Sequence, residues 1–160
     1  MTSMDTLAMV LLSWIGANSS YDTAKVFPPD IIEMSPIEIT AEAYTDNPEL
    51  IPEGRVDDRV IALYNFEEGK HGTIYVLGAD WTDDGTSPNQ APSTDPIFRE
   101  RVLHELVHHV QRVTGAYRSF PCRNYGEREA YELGGKFLKQ NYAKDPLPNR
   151  IFWSRVYSRC

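Results

Sequence analysis

The sequence predicts a mixed α+β fold, because two β-rich segments lie together between segments with helical periodicity. One helical segment precedes these strands and two follow them, so the elements are grouped along the chain and do not alternate strand by helix. Hydrophobic residues make up 41% of the 160 residues. A chain of this length and composition can bury a core without cross-links. We therefore expect a single domain over residues 1–160.

The first helix is predicted over residues 5–18. Its apolar residues follow the i, i+3, i+4 spacing of one helix face: Leu7, Val10, Leu11, Trp14 and Ile15. The segment is about as long as the apolar core of a signal peptide, but no Lys or Arg precedes it. We interpret it as a structural helix, too short to span a membrane.

A β-hairpin is predicted next. Residues 59–66 and 73–81 are rich in β-branched and aromatic side chains, and the polar stretch 67–72 between them contains two glycines. The proline-spaced stretch before the hairpin leaves room only for short elements, such as a strand at residues 37–40. The polar residues 82–95 are expected to form a loop.

The helix after this loop contains the chemical motif of the chain. Asp95-Pro96 supplies a capping residue and a proline at the first helical position, and Gly115 is placed to end the helix. Residues 104–108 are His-Glu-Leu-Val-His, an HExxH motif. Because a helix turns about 100° per residue, His104 and His108 lie about 40° and one turn apart, so both imidazoles can reach one ion.

The metal-binding face of this helix is separate from its apolar face. Gln111 shares the face of the two histidines, and Glu105 lies at its edge. The apolar residues cluster on the other side: Val102, Leu103, Leu106, Val107, Val110 and Val113. Neutral imidazole is a zinc ligand, and a catalytic zinc takes three protein ligands and a water. The motif therefore predicts a Zn²⁺ site with His104 and His108 as ligands and Glu105 as general base.

The third ligand has to come from elsewhere in the chain. Positions 111 and 114 are Gln and Thr, which excludes the extended motif with a third histidine. His109 points to the edge of the apolar face, and His71 lies in the hairpin turn. Neither is expected to share the ion, which leaves a carboxylate.

The last predicted helix, at about residues 125–142, offers this carboxylate. Glu127 falls on the apolar stripe and Glu129 lies more than 100° from it. The stripe comprises Ala130, Leu133, Gly134, Phe137 and Leu138. A buried unpaired charge is costly, and zinc would explain one on this stripe. We therefore favour Glu127 as the third ligand and interpret Glu129 as a solvated surface charge. The pair Gly134-Gly135 is expected to permit close packing on the zinc helix.

Residues 95–140 resemble the gluzincin metallopeptidases, through HExxH at 104–108 and Glu127-x-Glu129-Ala130 downstream. The second motif is similar to the E-x-E-A of ImmA/IrrE-type and other small bacterial HExxH domains. The resemblance implies a zincin-like domain, in which a small twisted sheet lies beside an active-site helix and a second ligand-bearing helix. Its edge strand, matched in order by residues 73–81, would align a peptide substrate. In this group the position of Tyr131 is often Asp or Asn, so the chain departs from the pattern there.

The implied reaction is zinc-dependent hydrolysis of peptide bonds. Glu105 would take the proton of the metal-activated water and pass it to the leaving amine. A donor to the oxyanion is also needed. Tyr125 and Tyr131, as well as Tyr117 and Arg118, lie near enough in the chain to supply it or to support a ligand, and the sequence does not select among them.

The alternative function is a non-catalytic zinc-binding or interaction module on the same scaffold. A structural zinc usually has four protein ligands, and Cys122, between the two ligand motifs, could be the fourth. Glu105 favours catalysis, because a structural site has no need of a base. Cys122 and Cys160 could instead form a disulfide in an oxidising compartment.

Charge and targeting signals bear on the partners. The formal net charge is −7, from 23 acidic and 16 basic residues, and no basic stripe is present, so a nucleic-acid partner is not expected. We expect a peptide or protein substrate and no membrane span. Without a convincing signal peptide, the sequence favours the cytoplasm.

Overall fold

The computed structural model describes residues 2–78 and 92–160. The helices are α1 (Ser3–Asn18), α2 (Pro36–Ala43), α3 (Pro96–Val113), α4 (Glu127–Gln140) and α5 (Arg150–Tyr157), and the strands are β1 (Asp30–Met34), β2 (Ala62–Asn65) and β3 (Thr73–Leu77). Short 3₁₀ turns lie at Pro48–Leu50, Pro92–Thr94, Ala116–Ser119 and Arg123–Gly126. The architecture is mixed α+β, as predicted.

The described strands form one sheet in the order β1-β3-β2. β2 and β3 pair antiparallel, which confirms the predicted hairpin, and β1 pairs parallel with the other side of β3. β3 is therefore the central strand of this sheet, and the expectation that it forms the edge was wrong. β1 was not predicted from the sequence. Its pairing with β3 leaves β2 as the edge strand that faces α3.

Two apolar layers enclose β3, whose residues are all buried. Ile74 and Val76 pack into the main core with α1, α3 and α4, whereas Tyr75 and Leu77 pack against Ile39 of α2. α3 lies between the sheet, α1 and α4, and α4 in turn packs against α5. The helix that carries the HExxH motif is thus central to the molecule.

The strand expected at residues 37–40 is a helical segment, which corrects that prediction. Ser35 and Glu38 form a capping box, in which the Ser35 hydroxyl accepts from the Glu38 amide at 3.4 Å and the Glu38 carboxylate accepts from the Ser35 amide at 2.8 Å. Pro36 occupies the first helical turn. These signals begin α2 at Pro36, one residue before the segment that was expected to be extended.

Two of the three predicted helices, α1 and α3, form with small differences. Asp95 caps α3, its Oδ1 accepting from the Ile97 amide at 2.9 Å, and Gly115 follows the helix with φ of 78°. The buried faces are as expected except at one residue in each helix. Val10 of α1 is 47% exposed, and Val113, the last residue of α3, is 52% exposed.

Two sequence expectations involve chain that is only partly described. The end of the second predicted strand and most of the predicted loop at residues 82–95 fall within residues 79–91, outside the described residues. The C-terminal segment, for which no structure was predicted, contains α5. In the described part of the chain, no helix has the length and apolarity needed to cross a membrane.

Candidate metal centre

Two histidines of α3 and the first residue of α4 converge on one point. Nε2 of His104 lies 3.0 Å from Oε2 of Glu127, and Nε2 of His108 lies 3.3 Å from Oε1 of the same carboxylate. The two Nε2 atoms are 3.3 Å apart. Among the described residues, this trio forms the one cluster of at least three His, Cys, Asp or Glu side chains whose ligand atoms could share a metal ion. The structure therefore brings together the three ligands predicted from the sequence.

The spacing of these donor atoms fits a tetrahedral zinc. Zinc–nitrogen and zinc–oxygen bonds of about 2.0–2.2 Å place neighbouring ligands about 3.4 Å apart in a tetrahedron. The observed separations of 3.0–3.3 Å are close to that value. The side chains keep 15%, 21% and 32% of their surface exposed at His104, His108 and Glu127. A fourth position would therefore open towards solvent, as in a catalytic site.

Gln111 determines which nitrogen of His108 faces the site. Its Nε2 donates to the carbonyl of Gly126 at 3.0 Å, so its Oε1 is the atom 3.1 Å from Nδ1 of His108. That oxygen accepts the Nδ1 proton, and in neutral His108 the lone pair is then on Nε2, which points to Glu127. Gly126 is needed here, because an added Cβ would collide with the Gln111 side chain. The sequence placed Gln111 on this face but did not reveal this role.

The electrostatics of the trio favour a bound cation. Burial opposes ionisation of Glu127, but hydrogen bonds from His104 and His108 outweigh it and hold the Glu127 pKa well below its usual range. Burial likewise disfavours charge on His108, yet Glu127 and Glu105 raise its pKa to about 9. An ionised carboxylate beside two imidazoles attracts positive charge, which either a proton or a metal ion can supply.

Glu105 lies in the cleft beside this centre. Burial raises the pKa of its carboxyl group, and the charges of His104 and His108 oppose that shift. A carboxylate with raised pKa holds a proton more readily than a solvated one, which suits a group that accepts and then releases a proton.

A cleft between β2, α3 and α4 runs past the metal centre in two halves. Ala62, Glu105, Asn124 and Glu127 line both halves. The α5 half, with a cavity volume of about 620 Å³, is lined by Arg59, His104, Tyr131, Leu147, Arg150 and Tyr157 among others. The Arg112 half, of about 720 Å³, is lined by Tyr64, Phe66, His108, Arg112, Tyr117 and Arg123 among others.

Among the described strands, none pairs with the side of β2 that faces this cleft. The Leu77 amide donates to the Ile61 carbonyl at 2.9 Å, and antiparallel pairs alternate between bonded and non-bonded residues. Ala62 and Tyr64 are therefore the residues whose N–H and C=O groups point away from β3. They can bond an extended chain laid along the cleft.

The candidate oxyanion donors are spread over different places. Tyr131 lines the α5 half, with its ring 4.6 Å from that of His104. Tyr117 lines the Arg112 half. Tyr125 is 45% exposed and packs on Phe120, outside the residues that line the two halves. Arg118 is likewise exposed outside them. Tyr131 is thus the candidate that lies against a predicted ligand.

Glu129 is not the solvated surface charge that the helical phase predicted. It is partly buried, and its Oε1 is buried without a hydrogen-bond partner among the described residues. Together with burial, the Glu129 carboxylate raises the pKa of Tyr21, so the two side chains are neighbours. The prediction failed because it used the phase of α4 alone, whereas the segment after α1 covers this side of the helix.

The other candidate ligands are engaged elsewhere. His109 is fully buried, with Nδ1 2.9 Å from the Tyr64 hydroxyl and Nε2 2.8 Å from the Phe27 carbonyl. His71 stacks on the ring of Phe27. Cys122 forms a disulfide with Cys160. The Cys122 sulfur is therefore not a thiolate that could be the fourth ligand.

No protein family model, no curated protein and no solved structure matches this chain. The metal centre is characterised by its own geometry, in which two imidazoles and one carboxylate meet beside Glu105 in an open cleft.

Proposed function

We propose that the protein is a zincin-like, zinc-dependent peptidase that hydrolyses peptide bonds in this cleft. The observation that carries the proposal is the convergence of His104, His108 and Glu127 on one point beside Glu105. The HExxH motif and its resemblance to the gluzincins support the same function. Two imidazoles and one carboxylate form a ligand set of known catalytic zinc sites, which leaves a position for water or substrate.

Glu105 is the residue that moves the proton. Zinc, when bound, lowers the pKa of a water molecule towards 7 and polarises the carbonyl to be attacked. A carboxylate oxygen of Glu105 accepts the proton of the attacking water and then donates it to the nitrogen of the leaving amine. The raised pKa of Glu105 favours this temporary protonation.

The rest of the cleft positions the substrate. The N–H and C=O groups of Ala62 and Tyr64, which point away from β3, bind the backbone of an extended peptide, which adds a strand to the edge of the sheet. Tyr131 serves as the donor to the developing oxyanion, since burial and the charge of Glu127 raise its pKa and keep its hydroxyl protonated. Its contact with His104 keeps that donor close to the reacting carbonyl.

A non-catalytic zinc module explains fewer of these features. A structural zinc is normally closed by four protein ligands. Within residues 2–78 and 92–160 the cluster offers three, and Cys122 is held in a disulfide. Placing a partly buried carboxylate such as Glu105 next to the cluster is costly and serves no purpose in a closed site. Both features favour catalysis.

The test is the Glu105→Gln variant, loaded with one equivalent of zinc. The amide cannot accept the proton, so we expect hydrolysis to fall by a factor of about 10²–10⁴ while zinc binding is retained. Cleavage of a proteome-derived peptide library, followed by mass spectrometry, measures activity without a known substrate. Glu132→Gln, on the exposed side of α4, is the matched control and should cleave as the parent does. A Glu105→Gln variant as active as the parent contradicts the proposal.

A further inference from the structure

The Arg112 half of the cleft carries positive charge that the proposed reaction does not use. Arg112 and Arg123 both line it, and among the described residues the carboxylates that line it are Glu105 and Glu127, which belong to the metal centre. We propose that this half selects peptide substrates with an acidic side chain about two residues from the cleaved bond. This inference rests on the proposed function and names the substrate class of the same site.

Arg112 is held ready for an anion. Its guanidinium lies 3.3 Å from the ring centroid of Phe66 and 5.0 Å from that of Tyr117. Stacking uses the face of the guanidinium and leaves the N–H donors at its edge available to a carboxylate. In the described ranges 2–78 and 92–160, neither Arg112 nor Arg123 is in an ion pair. Ordering of Arg112 before binding lowers the entropic cost of holding the substrate.

The distance between Arg112 and the metal centre follows from the spacing of Arg112 and His108 along α3. Arg112 lies four residues after His108 on α3, which corresponds to about 6 Å along the axis. An extended peptide rises about 3.4 Å per residue, so this distance equals about two residues of substrate. β2 runs beside α3 in the same part of the cleft, so a peptide bonded to Ala62 and Tyr64 passes the Arg112 guanidinium.

The α5 half differs, because two of the three arginines that line it are held in ion pairs and the third, Arg101, is buried at 3% exposure. Arg59 Nη2 lies 2.8 Å from Asp57, and Arg150 contacts Glu100 at 3.0 Å and Asp145 at 2.7 Å. The selection for acidic residues should therefore act on one side of the cleaved bond. The net charge of −7 would repel an acidic peptide at long range. At physiological salt that repulsion is screened beyond about 8 Å, so the two nearby arginines dominate.

Binding to a zinc-loaded, non-hydrolysing protein tests this selection independently of catalysis. The probes are two fluorescein-labelled, alanine-rich octapeptides that differ only in carrying two Glu or two Gln residues. Fluorescence anisotropy with the Glu105→Gln protein should give about tenfold tighter binding of the Glu peptide, as expected for a charge-assisted hydrogen bond. Adding Arg112→Gln or the more exposed Arg123→Gln should reduce that preference to less than about threefold. Arg128→Gln is the matched control, because Arg128 lies on α4 and pairs with Glu132 outside the cleft.

The outcomes distinguish a failure of the selection for acidic peptides from a failure of the proposed hydrolysis. A preference for Glu that Arg112→Gln weakens and Arg128→Gln leaves unchanged supports the inference. Equal affinity for the two peptides, or equal loss in all three variants, overturns it. If the unmutated protein cleaves no member of the peptide library yet binds the Glu peptide selectively, the proposed hydrolysis fails and the anion selection stands. If it cleaves the library with no enrichment of Asp or Glu over Asn or Gln near the cut, the selection fails and the hydrolysis stands.

Discussion

At the metal centre, individual side chains set the protonation that metal binding requires. Gln111 is 3% exposed and is held by the carbonyl of Gly126, so its oxygen accepts the Nδ1 proton of His108. Support of this kind fixes both the tautomer and the orientation of a metal-binding imidazole. Two of the glutamates of α4 show how finely position matters, since Glu127 reaches the histidines and Glu129 faces Tyr21.

Comparison of Glu127→Ala with Glu129→Ala tests whether Glu127, and not Glu129, is the third ligand. Loss of a residue that merely supports a ligand costs about 10–100-fold in metal affinity, so loss of the ligand Glu127 should cost more than about 100-fold. Glu129→Ala removes a carboxylate whose Oε1 has no hydrogen-bond partner in the described residues, and it should leave zinc affinity within about threefold. Competition with a chromophoric chelator measures both affinities. A larger loss in Glu129→Ala would show that Glu127 is not the ligand.

Between the elements, close helix packing keeps the ligands in place. A Cβ added at Gly134 would collide with the Glu100 carboxylate of α3, and one added at Gly135 would lie 2.7 Å from Cδ of Arg150 in α5. Each glycine thus lets α4 approach a different neighbour. The expectation that the pair permits packing on the zinc helix is confirmed for Gly134, whereas Gly135 serves the contact with α5.

A disulfide also joins separate elements of the fold covalently. Cys122 and Cys160 are separated by 38 residues, and their bond ties the end of the chain beyond α5 to the segment between α3 and α4. Closing a loop of this length stabilises a folded protein by about 2–4 kcal/mol. We therefore expect the double variant Cys122→Ser, Cys160→Ser to lose that much free energy of unfolding in urea titrations. A reductant should destabilise the parent and leave the double variant unchanged.

Thiol counting provides the control for this prediction. Protein exposed to air and then denatured should show no free thiol, and two free thiols would contradict the disulfide. Disulfides are typical of oxidising compartments, whereas the sequence favoured the cytoplasm. The same count of free thiols, made on protein taken from its native host, would distinguish an oxidising compartment from the cytoplasm.

Across the whole molecule, the metal centre is joined to the core. α3 packs on the sheet, on α1 and on α4, and the predicted ligands come from α3 and α4. A metal ion that binds only the folded state therefore stabilises the entire arrangement.

Removal of metal should accordingly lower the melting temperature. With free zinc at about 1,000 times its Kd, binding contributes about 4 kcal/mol, which corresponds to a shift of about 10 °C for a chain of this size. Calorimetry with and without a chelator measures the shift. Because the pKa of His108 is raised to about 9 and a proton there competes with the metal, the shift should be smaller at pH 6 than at pH 8. The variant His104→Ala, His108→Ala should melt at the same temperature with and without chelator, and equal shifts in variant and parent would contradict the site.

The sequence by itself determined the features that depend on residues within a few positions of one another. The i, i+4 spacing of His104 and His108 puts both on one helix face, and the Asp95-Pro96 start places that helix correctly. The hairpin of β2 and β3 and the apolar stripe of α4 follow from local periodicity in the same way. These features need no information from distant chain, because backbone geometry alone relates such residues.

The tertiary structure decided what distant segments do to one another. The pairing of β1 with β3 makes β2 the edge strand, and it joins residues about 40 positions apart. The burial of Glu129, the support of His108 by Gln111 from the carbonyl of Gly126, and the Cys122–Cys160 bond likewise depend on neighbours that no local pattern identifies. The physical reason is that packing and long-range pairing depend on which surfaces of the whole chain meet, whereas periodicity reports only the faces that each element can offer.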